Sequence, residues 1–268
     1  VYKPLVKPVD VKYTYEEAVN LVCKALAPMG EEYVSVLRKG ITEDKWVDIY
    51  ENKGKTSGAY SFGSYDSKPY ILMNFTGELR DVFTLIHEGG HSMHSYYTRK
   101  TQPYIYGDHS IFTAEVASTV NETILMKYLL DNCEDKEMRA YLINFYLEEF
   151  KGTVFRQTMF AEFEYLVHRL LEDGNAPTAE YFNTTYDELN TKYFGDAMSR
   201  DEMIQYEWSR IPHFYRDFYV YQYATGYSAA NAIANRILDE GDNARDEYIE
   251  FLRTGSSNYP IELLKIAG

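Results

Sequence analysis

Apolar side chains recur at intervals of three and four along most of the chain, which predicts amphipathic helices. Glycines or turn residues follow most of these segments and predict where the helices end. Thr14 to Glu17 has the pattern of a capping box and predicts the first helix start. The predicted helices cover residues 14–28, 31–39, 43–51, 76–97, 111–133, 136–171, 179–194, 216–240 and 243–254. The fold class expected from this pattern is mainly α.

Residues 58–75 have a different pattern. The segments GAYSFGSY and KPYILMNF are short and rich in Tyr, Phe and Ile, and a turn-like Asp66–Pro69 separates them. They predict a small β-hairpin directly before the helix at 76–97. An edge strand of this kind can hold an extended peptide by backbone hydrogen bonds, or it can only cover the core. The sequence leaves both roles open.

The helix predicted over 76–97 carries His87, Glu88 and His91 in an HExxH motif, with Thr76 as its expected cap. Residues four apart lie on one helix face, so the two imidazoles can bind one metal ion. Glu88 lies beside them and can accept a proton from an activated water. The two adjacent glycines of the motif are unfavourable inside a helix and predict close packing of another element. The motif indicates metal-assisted hydrolysis of a peptide bond; the alternative is a core helix with two hydrogen-bonded histidines.

A catalytic zinc site usually takes three protein ligands. His94 is the nearest candidate, but it lies about 10.5 Å from His87 along the helix axis. We therefore expect His94 beside the metal or facing the substrate, with direct ligation as the alternative. On the next helix, Glu115 shares one face with Ser118 and Glu122 and would complete a His-His-Glu set. Glu122 is expected either to accept the second ring N–H of a ligating histidine or to form a surface ion pair.

The segments around these residues resemble a known family. HEGGHSMHSYY, IFTAEVASTVNE, FRQTMFAEFE at 155–164 and RIPHFYRDFYVYQYATGYSAA at 210–230 are similar to the M3 family of zinc metallopeptidases, and most closely to its oligoendopeptidase F members. The resemblance implies a zincin-like, mostly helical and elongated fold with a deep channel for short peptides. It also implies one zinc ion bound by His87, His91 and Glu115, with Glu88 as the general base.

Residues 206–227 contain six tyrosines, a histidine and a tryptophan. Peptide hydrolysis develops negative charge on an oxygen, and fixed N–H or O–H donors stabilise that charge. His213, Tyr219 and Tyr221 are the candidate donors, and the family resemblance also implies a histidine and tyrosines from this region. Which tyrosine acts is left open, because most of the 27 tyrosines are expected to pack with a buried ring.

Composition narrows the function classes further. The net charge of −14 disfavours binding to nucleic acid or to anionic membranes. No run of eighteen apolar residues and no signal-peptide pattern occurs. Cys23 and Cys133 are expected to be buried free thiols, which suits a reducing compartment. A cytoplasmic location is therefore expected.

Members of the resembled family are about twice as long as this chain. The resemblance implies that residues 1–268 form a single catalytic domain without the helical amino-terminal half that supplies the other channel wall. The surface on which that half would dock is expected to be exposed and apolar, so it could bind that half or a second copy of the chain. The predicted function is a zinc-dependent endopeptidase acting on short oligopeptides. The alternative is a non-catalytic peptide-binding module that retains the zinc site.

Overall fold

The computed structural model describes residues 5–7, 9–197, 199 and 201–268. The described part is mainly helical and contains one small sheet, which confirms the predicted fold class. Its α-helices are α1 (Tyr15–Ala25), α2 (Glu31–Thr42), α3 (Leu79–Thr101), α4 (Ile111–Asp131), α5 (Lys136–Phe150), α6 (Arg156–Glu172), α7 (Ala179–Phe194), α8 (Tyr221–Glu240), α9 (Asp242–Leu252) and α10 (Pro260–Leu264). Its strands are β1 (Val47–Asp48), β2 (Tyr60–Phe62) and β3 (Tyr70–Leu72).

Tertiary contacts divide the chain into two compact units. The first consists of Val1–Tyr146 and Gly226–Gly268, and the second of Leu147–Thr225. The core of the first unit is largely aliphatic and is built around α3 and α4. The core of the second unit is rich in aromatic side chains, among them Phe160, Phe163 and Tyr186. The single catalytic domain expected over residues 1–268 stays a prediction.

Helix α3 is the central element of the first unit. Val82, Ile86 and Met93 are fully buried on it, and each such side chain stabilises the fold by roughly 1.5–3 kcal/mol. The helix begins two to three residues later than predicted, because Glu78 and not Thr76 is its cap residue. The Asp81 carboxylate accepts the backbone N–H of Glu78 at 3.0 Å and the hydroxyl of Thr76 at 2.8 Å. This capping box fixes where the helix starts.

The predicted close approach at the motif glycines is confirmed. A Cβ added at Gly90 would lie 2.6 Å from the Cα of Ser118 and 2.7 Å from the backbone oxygen of Ala117. Only a glycine therefore lets α3 and α4 pack with their backbones in contact. A Cβ added at Gly89 would meet only the flexible side chain of Leu37, at 3.2 Å.

The sheet lies before α3 in the chain, and its strand order is β1-β3-β2. β2 and β3 pair antiparallel, with Ser61 opposite Ile71, and this confirms the predicted hairpin. The helix predicted over 43–51 is wrong, since β1 occupies part of it and pairs parallel with β3. Lys45 adopts a left-handed φ of 54°, and the buried ring of Trp46 packs directly on Gly40. This turn ends helical conformation and aligns the following residues with β3.

Two further predicted helices have different bounds. The long helix predicted over 136–171 is interrupted by a π-helical segment, Lys151–Phe155, between α5 and α6. The helix predicted over 216–240 begins only at Tyr221, because residues 216–220 form a bend and turns in which Phe218 has a left-handed φ of 54°. Both cysteines are free thiols; Cys23 is buried, and Cys133 is only partly buried. In the described residues no helix is both long and apolar enough to cross a membrane.

Candidate metal centre

Helices α3 and α4 bring the three predicted ligands together. The Nε2 atoms of His87 and His91 are 3.2 Å apart, and their rings are nearly perpendicular. Oε2 of Glu115 lies 3.6 Å from Nε2 of His87 and 3.9 Å from Nε2 of His91. Tetrahedral zinc with bonds of about 2.0–2.1 Å holds its ligand atoms about 3.3 Å apart, so this donor set fits such an ion closely. Among the described residues it is the only group of three or more His, Cys, Asp or Glu side chains whose ligand atoms all lie within 4.8 Å of one another.

The ring of His87 is oriented by a second carboxylate. Oε1 of Glu122 lies 3.2 Å from Nδ1, on the side of the ring opposite to the candidate metal position. Burial lowers the pKa of His87, but the charges of Glu122, Glu88 and Glu115 outweigh it and raise that pKa to about 9. A ring that donates Nδ1–H to a carboxylate presents a more basic Nε2 to a metal ion.

The second ring, His91, has a different environment. Burial and the neighbouring charge of His87 lower its pKa well below the ordinary value. A hydrogen bond with the backbone of Ala114, just before Glu115, partly opposes that shift. His91 is therefore held as a neutral imidazole, which is the form that binds metal ions.

Glu88 is buried next to this group, with only 6% of its surface exposed. Its Oε2 atom has no hydrogen-bond partner among the described residues. Burial raises the pKa of the carboxyl group to about 7; His87 and the backbone of Ser61 oppose the shift, and Glu115 and Glu122 add to it. A buried carboxyl oxygen without a donor is unfavourable unless a ligand or water uses it. This atom is therefore available to a reacting molecule.

The edge strand β2 is attached to the metal-binding helix at this point. The hydroxyl oxygens of Ser61 on β2 and of Ser92 on α3 are 2.8 Å apart, and Ser92 is completely buried. Because β2 is the last strand in the sheet order, its outer edge is unpaired within the described sheet. An unpaired edge is able to hydrogen-bond an extended chain.

The structure does not bring His94 into the group of candidate ligands. Its ring stacks on that of His109, with 4.0 Å between centroids and 17° between planes, and it is only 1% exposed. Burial lowers the pKa of His94 well below its ordinary value, and His109 and His91 add to the effect. His94 therefore lies in a neutral aromatic stack within the core. Its partner His109 comes from the loop before α4, and the sequence carried no signal for this pairing.

The candidate donors His213, Tyr219 and Tyr221 lie in the second unit. The rings of His213 and Tyr219 are stacked, with centroids 5.3 Å apart and planes at 14°. The hydroxyl of Tyr223, which is not among the candidate donors predicted from the sequence, lies 3.5 Å from Nε2 of His213. Tyr221, the first residue of α8, is 41% exposed. The spacing of four between Tyr219 and Tyr223 is the signal that could have indicated the larger cluster. The donor role stays a prediction.

A buried amide that sequence reasoning missed connects three helices near the metal centre. Asn121 is fully buried on α4, directly before Glu122. Its Nδ2 donates to the backbone oxygen of Ile86 on α3 at 3.3 Å, and its Oδ1 accepts the hydroxyl of Tyr33 on α2 at 3.1 Å. Ile86 directly precedes His87, so this amide sets the position of α4 relative to the metal-binding turn. A lone amide within an apolar helical segment was the available signal.

The chain is similar over its whole length to known oligopeptidases. The chain is 60% identical over 267 residues to Oligopeptidase PepF of Bacillus subtilis; the match covers 100% of this chain and 40% of that protein. It is 48% identical to chromosomal Oligoendopeptidase F of Lactococcus lactis subsp. cremoris, covering 100% of this chain and 44% of the relative. The chain thus spans less than half the length of these relatives.

Two solved structures are also similar to nearly the whole chain. The structure of oligoendopeptidase-F from Enterococcus faecium matches 97% of this chain and 42% of its own, with 40% identity and a TM-score of 0.70. That of a Chlamydophila abortus protein matches 99% of this chain and 44% of its own, with 47% identity and a TM-score of 0.89. The sequence profile of Peptidase family M3 matches residues 3–268. The chain therefore belongs to peptidase family M3.

Proposed function

We propose that this chain carries the catalytic centre of a zinc-dependent endopeptidase that hydrolyses internal peptide bonds of short oligopeptides. The observation that carries the proposal is the group formed by His87, His91 and Glu115, whose ligand atoms all lie within 4.8 Å of one another. Membership of family M3 supports a peptidase. The names of the relatives, oligopeptidase and oligoendopeptidase, support short peptides as the substrates.

Zinc is the metal that this donor set suits. Two imidazoles, each binding through an Nε2 that has lost its proton, and one carboxylate form a known catalytic zinc set, which leaves a fourth position for water or substrate. A bound zinc ion supplies an attacking water of lowered pKa and polarises the carbonyl of the peptide bond. His87 and His91 offer Nε2 atoms, and Glu115 offers Oε2. Glu122 fixes the tautomer of His87 through Nδ1.

Glu88 is the general base of the proposed reaction. Its unpartnered Oε2 is buried beside the ligand histidines and is free to accept a proton from the attacking water. The same carboxyl group then passes that proton to the leaving amine. A substrate bound as an additional strand along β2 would lie next to this group, since the Ser61–Ser92 hydrogen bond ties β2 to α3.

His213, together with Tyr219 or Tyr221, forms the remaining part of the proposal. Their ring N–H and hydroxyl groups are donors of the kind that stabilises a developing oxyanion. The stacked arrangement of His213 and Tyr219 supports this role, because stacking restricts the directions in which both donors point.

The test is Glu88→Gln, with Glu51→Gln on the surface as the matched control. Metal content and the hydrolysis of an internally quenched peptide are measured on the same samples. We expect Glu88→Gln to keep its zinc and its fold and to lose turnover by at least about 100-fold. Cleavage that survives the substitution would refute Glu88 as the base. A wild-type protein that binds zinc and peptide without cleaving it would instead be a peptide-binding module.

A further inference from the structure

The backbone at Phe218 is strained. Its φ is 54°, and Lys45 is the only other non-glycine residue with a positive φ among the residues that the structure describes. A left-handed φ is unfavourable for a residue with a Cβ, because the Cβ crowds the carbonyl oxygen. Such a conformation persists only where surrounding contacts hold it, and it occurs frequently at functional sites. Phe218 is half exposed, so packing of its own side chain cannot supply all of that restraint.

A buried carboxylate supplies the restraint. Oε1 of Glu164, on α6, accepts the backbone N–H of Phe218 at 2.7 Å, and Glu164 is only 5% exposed. Burial raises the pKa of Glu164, while the Phe218 amide and His168 oppose the shift. One turn further along α6, the ring of His168 packs on the ring of Phe218 with 4.6 Å between centroids. Burying a carboxyl group is unfavourable unless it is hydrogen-bonded, so the hydrogen bond from the Phe218 amide compensates for the burial of Glu164.

The strained residue leads directly into the cluster of candidate donors. Tyr219 follows Phe218, and the direction of the chain at Phe218 sets where the ring of Tyr219 lies. That ring stacks on His213, and the edge of Tyr223 meets both rings with centroids 5.6 and 6.0 Å away. A change from left-handed to ordinary φ at Phe218 would therefore turn Tyr219 away from His213.

We propose that Glu164 is a positioning residue: by holding the Phe218 amide, it keeps residues 216–220 in the conformation that stacks Tyr219 on His213. Its effect on catalysis rests on the proposed function, in which His213 and Tyr219 are donors to the oxyanion. Glu164 touches neither substrate nor metal in this role. It acts through the backbone of Phe218.

Three variants on α6 test the role of the carboxylate. Glu164→Ala removes the acceptor, Glu164→Gln keeps an acceptor oxygen without the charge, and Glu162→Ala removes a carboxylate that instead pairs with Lys192. The readouts are kcat and KM for a quenched peptide, zinc content, and hydrogen–deuterium exchange of residues 213–223. Loss of one oxyanion donor lowers kcat by about 100- to 1000-fold, so misplacing one should lower it by at least about tenfold.

We expect Glu164→Ala to lower kcat in this way, to change KM by less than about threefold and to leave the zinc content unchanged, because oxyanion donors act mainly in the transition state. Exchange of residues 213–223 should become faster. Glu164→Gln should restore both kcat and exchange to within about threefold of the wild type, because its oxygen still accepts the amide. Glu162→Ala should leave both unchanged.

A substitution at Phe218 tests whether Glu164 acts by holding the strained backbone. Phe218→Gly relieves the strain, because glycine adopts the left-handed conformation freely. In the Phe218→Gly background, Glu164→Ala should therefore accelerate exchange and lower kcat less than it does in the wild type. This coupling would not arise if Glu164 merely filled space, since two independent packing losses would multiply.

Three outcomes would each overturn the proposal. Glu164→Ala could leave exchange unchanged, or it could accelerate exchange while leaving kcat unchanged. The effects of Glu164→Ala and Phe218→Gly could also simply multiply in the double variant. The exchange measurements do not need activity. If the wild-type protein cleaves no peptide, the proposed function fails. Hydrogen–deuterium exchange of the wild type, the two single variants and the double variant still decides whether Glu164 holds residues 216–220.

Discussion

Oε1 of Glu122 lies 3.2 Å from Nδ1 of His87 and thereby turns Nε2 of the same ring towards His91 and Glu115. The relationship joins two helices, since His87 lies on α3 and Glu122 on α4. It also explains how one face of α4 can contribute both a ligand and the group that orients another ligand.

Removing that carboxylate should weaken metal binding without removing a ligand. Glu122→Ala is expected to lower zinc affinity by about 10- to 100-fold, the usual effect of losing such a hydrogen-bond partner. Competition with a fluorescent chelator measures it. Glu122→Gln still accepts the Nδ1–H of His87, so its zinc affinity should lie between those of the wild type and Glu122→Ala. Equal zinc affinity in the wild type and Glu122→Ala would show that the contact does not orient His87.

The two motif glycines should respond differently to substitution by alanine. Gly90→Ala places a Cβ 2.6 Å from the Cα of Ser118, so α3 and α4 must separate. We expect the free energy of unfolding to fall by about 1–3 kcal/mol, and zinc affinity to fall with it, because Glu115 moves away from the histidines. Urea unfolding measures the first effect.

Gly89→Ala is the matched control for that substitution. Its Cβ would meet only the side chain of Leu37, at 3.2 Å, and alanine is favoured over glycine in a helix by about 1 kcal/mol. Gly89→Ala should therefore be close to neutral. If both variants lose equal stability, the glycine requirement is a property of the helix and not of the α3–α4 contact.

The Tyr33–Asn121 hydrogen bond predicts a coupled pair. Both groups are fully buried, so Asn121→Ala leaves the Tyr33 hydroxyl without its acceptor and should lower stability by about 2–3 kcal/mol. Tyr33→Phe should be less damaging in the Asn121→Ala background than in the wild type. Urea unfolding of the four proteins of this cycle gives the coupling free energy. A value near zero would mean that the two side chains act independently.

The features of the fold and the site that could be predicted are those whose residues lie close together in the sequence. His87 and His91 follow from the local four-residue spacing, and Glu115 from a polar face on the next helix. Strand β1 could not be predicted in this way, because its two residues become a strand only by pairing with β3. The His94–His109 stack likewise depends on how the loop before α4 folds back on α3. The left-handed Phe218 depends on Glu164, 54 residues earlier.

Glu207 predicts a pH dependence of stability in the second unit. It accepts Arg156 at 2.6 Å and the hydroxyl of Tyr186 at 2.7 Å. Burial raises the pKa of this carboxyl group, but the hydrogen bonds from Tyr186 and Arg156 and the charges of Arg156 and Arg210 outweigh burial and lower it. A folded-state pKa below the unfolded value means that the unfolded chain binds more protons as the pH falls.

The stabilisation from Glu207 is therefore fully present above the unfolded pKa of about 4.3 and is lost as the pH falls through the lower folded value. Glu207→Gln should be less stable than the wild type by about 1–2 kcal/mol at pH 7. Thermal unfolding should show this difference shrinking below pH 4. The exposed Glu188→Gln, on α7, is the control and should show no such trend. A difference that stays constant down to pH 3 would contradict the assignment.

One zinc ion per chain is expected to be bound by His87, His91 and Glu115, and the zinc content of purified variants measures this binding. Glu115→Ala and His94→Ala are compared after dialysis against a weak chelator, with folding checked by circular dichroism. We expect Glu115→Ala to lose its zinc and His94→Ala to keep close to the wild-type content. Zinc retained in Glu115→Ala and lost in His94→Ala would show that His94, and not Glu115, is the third ligand.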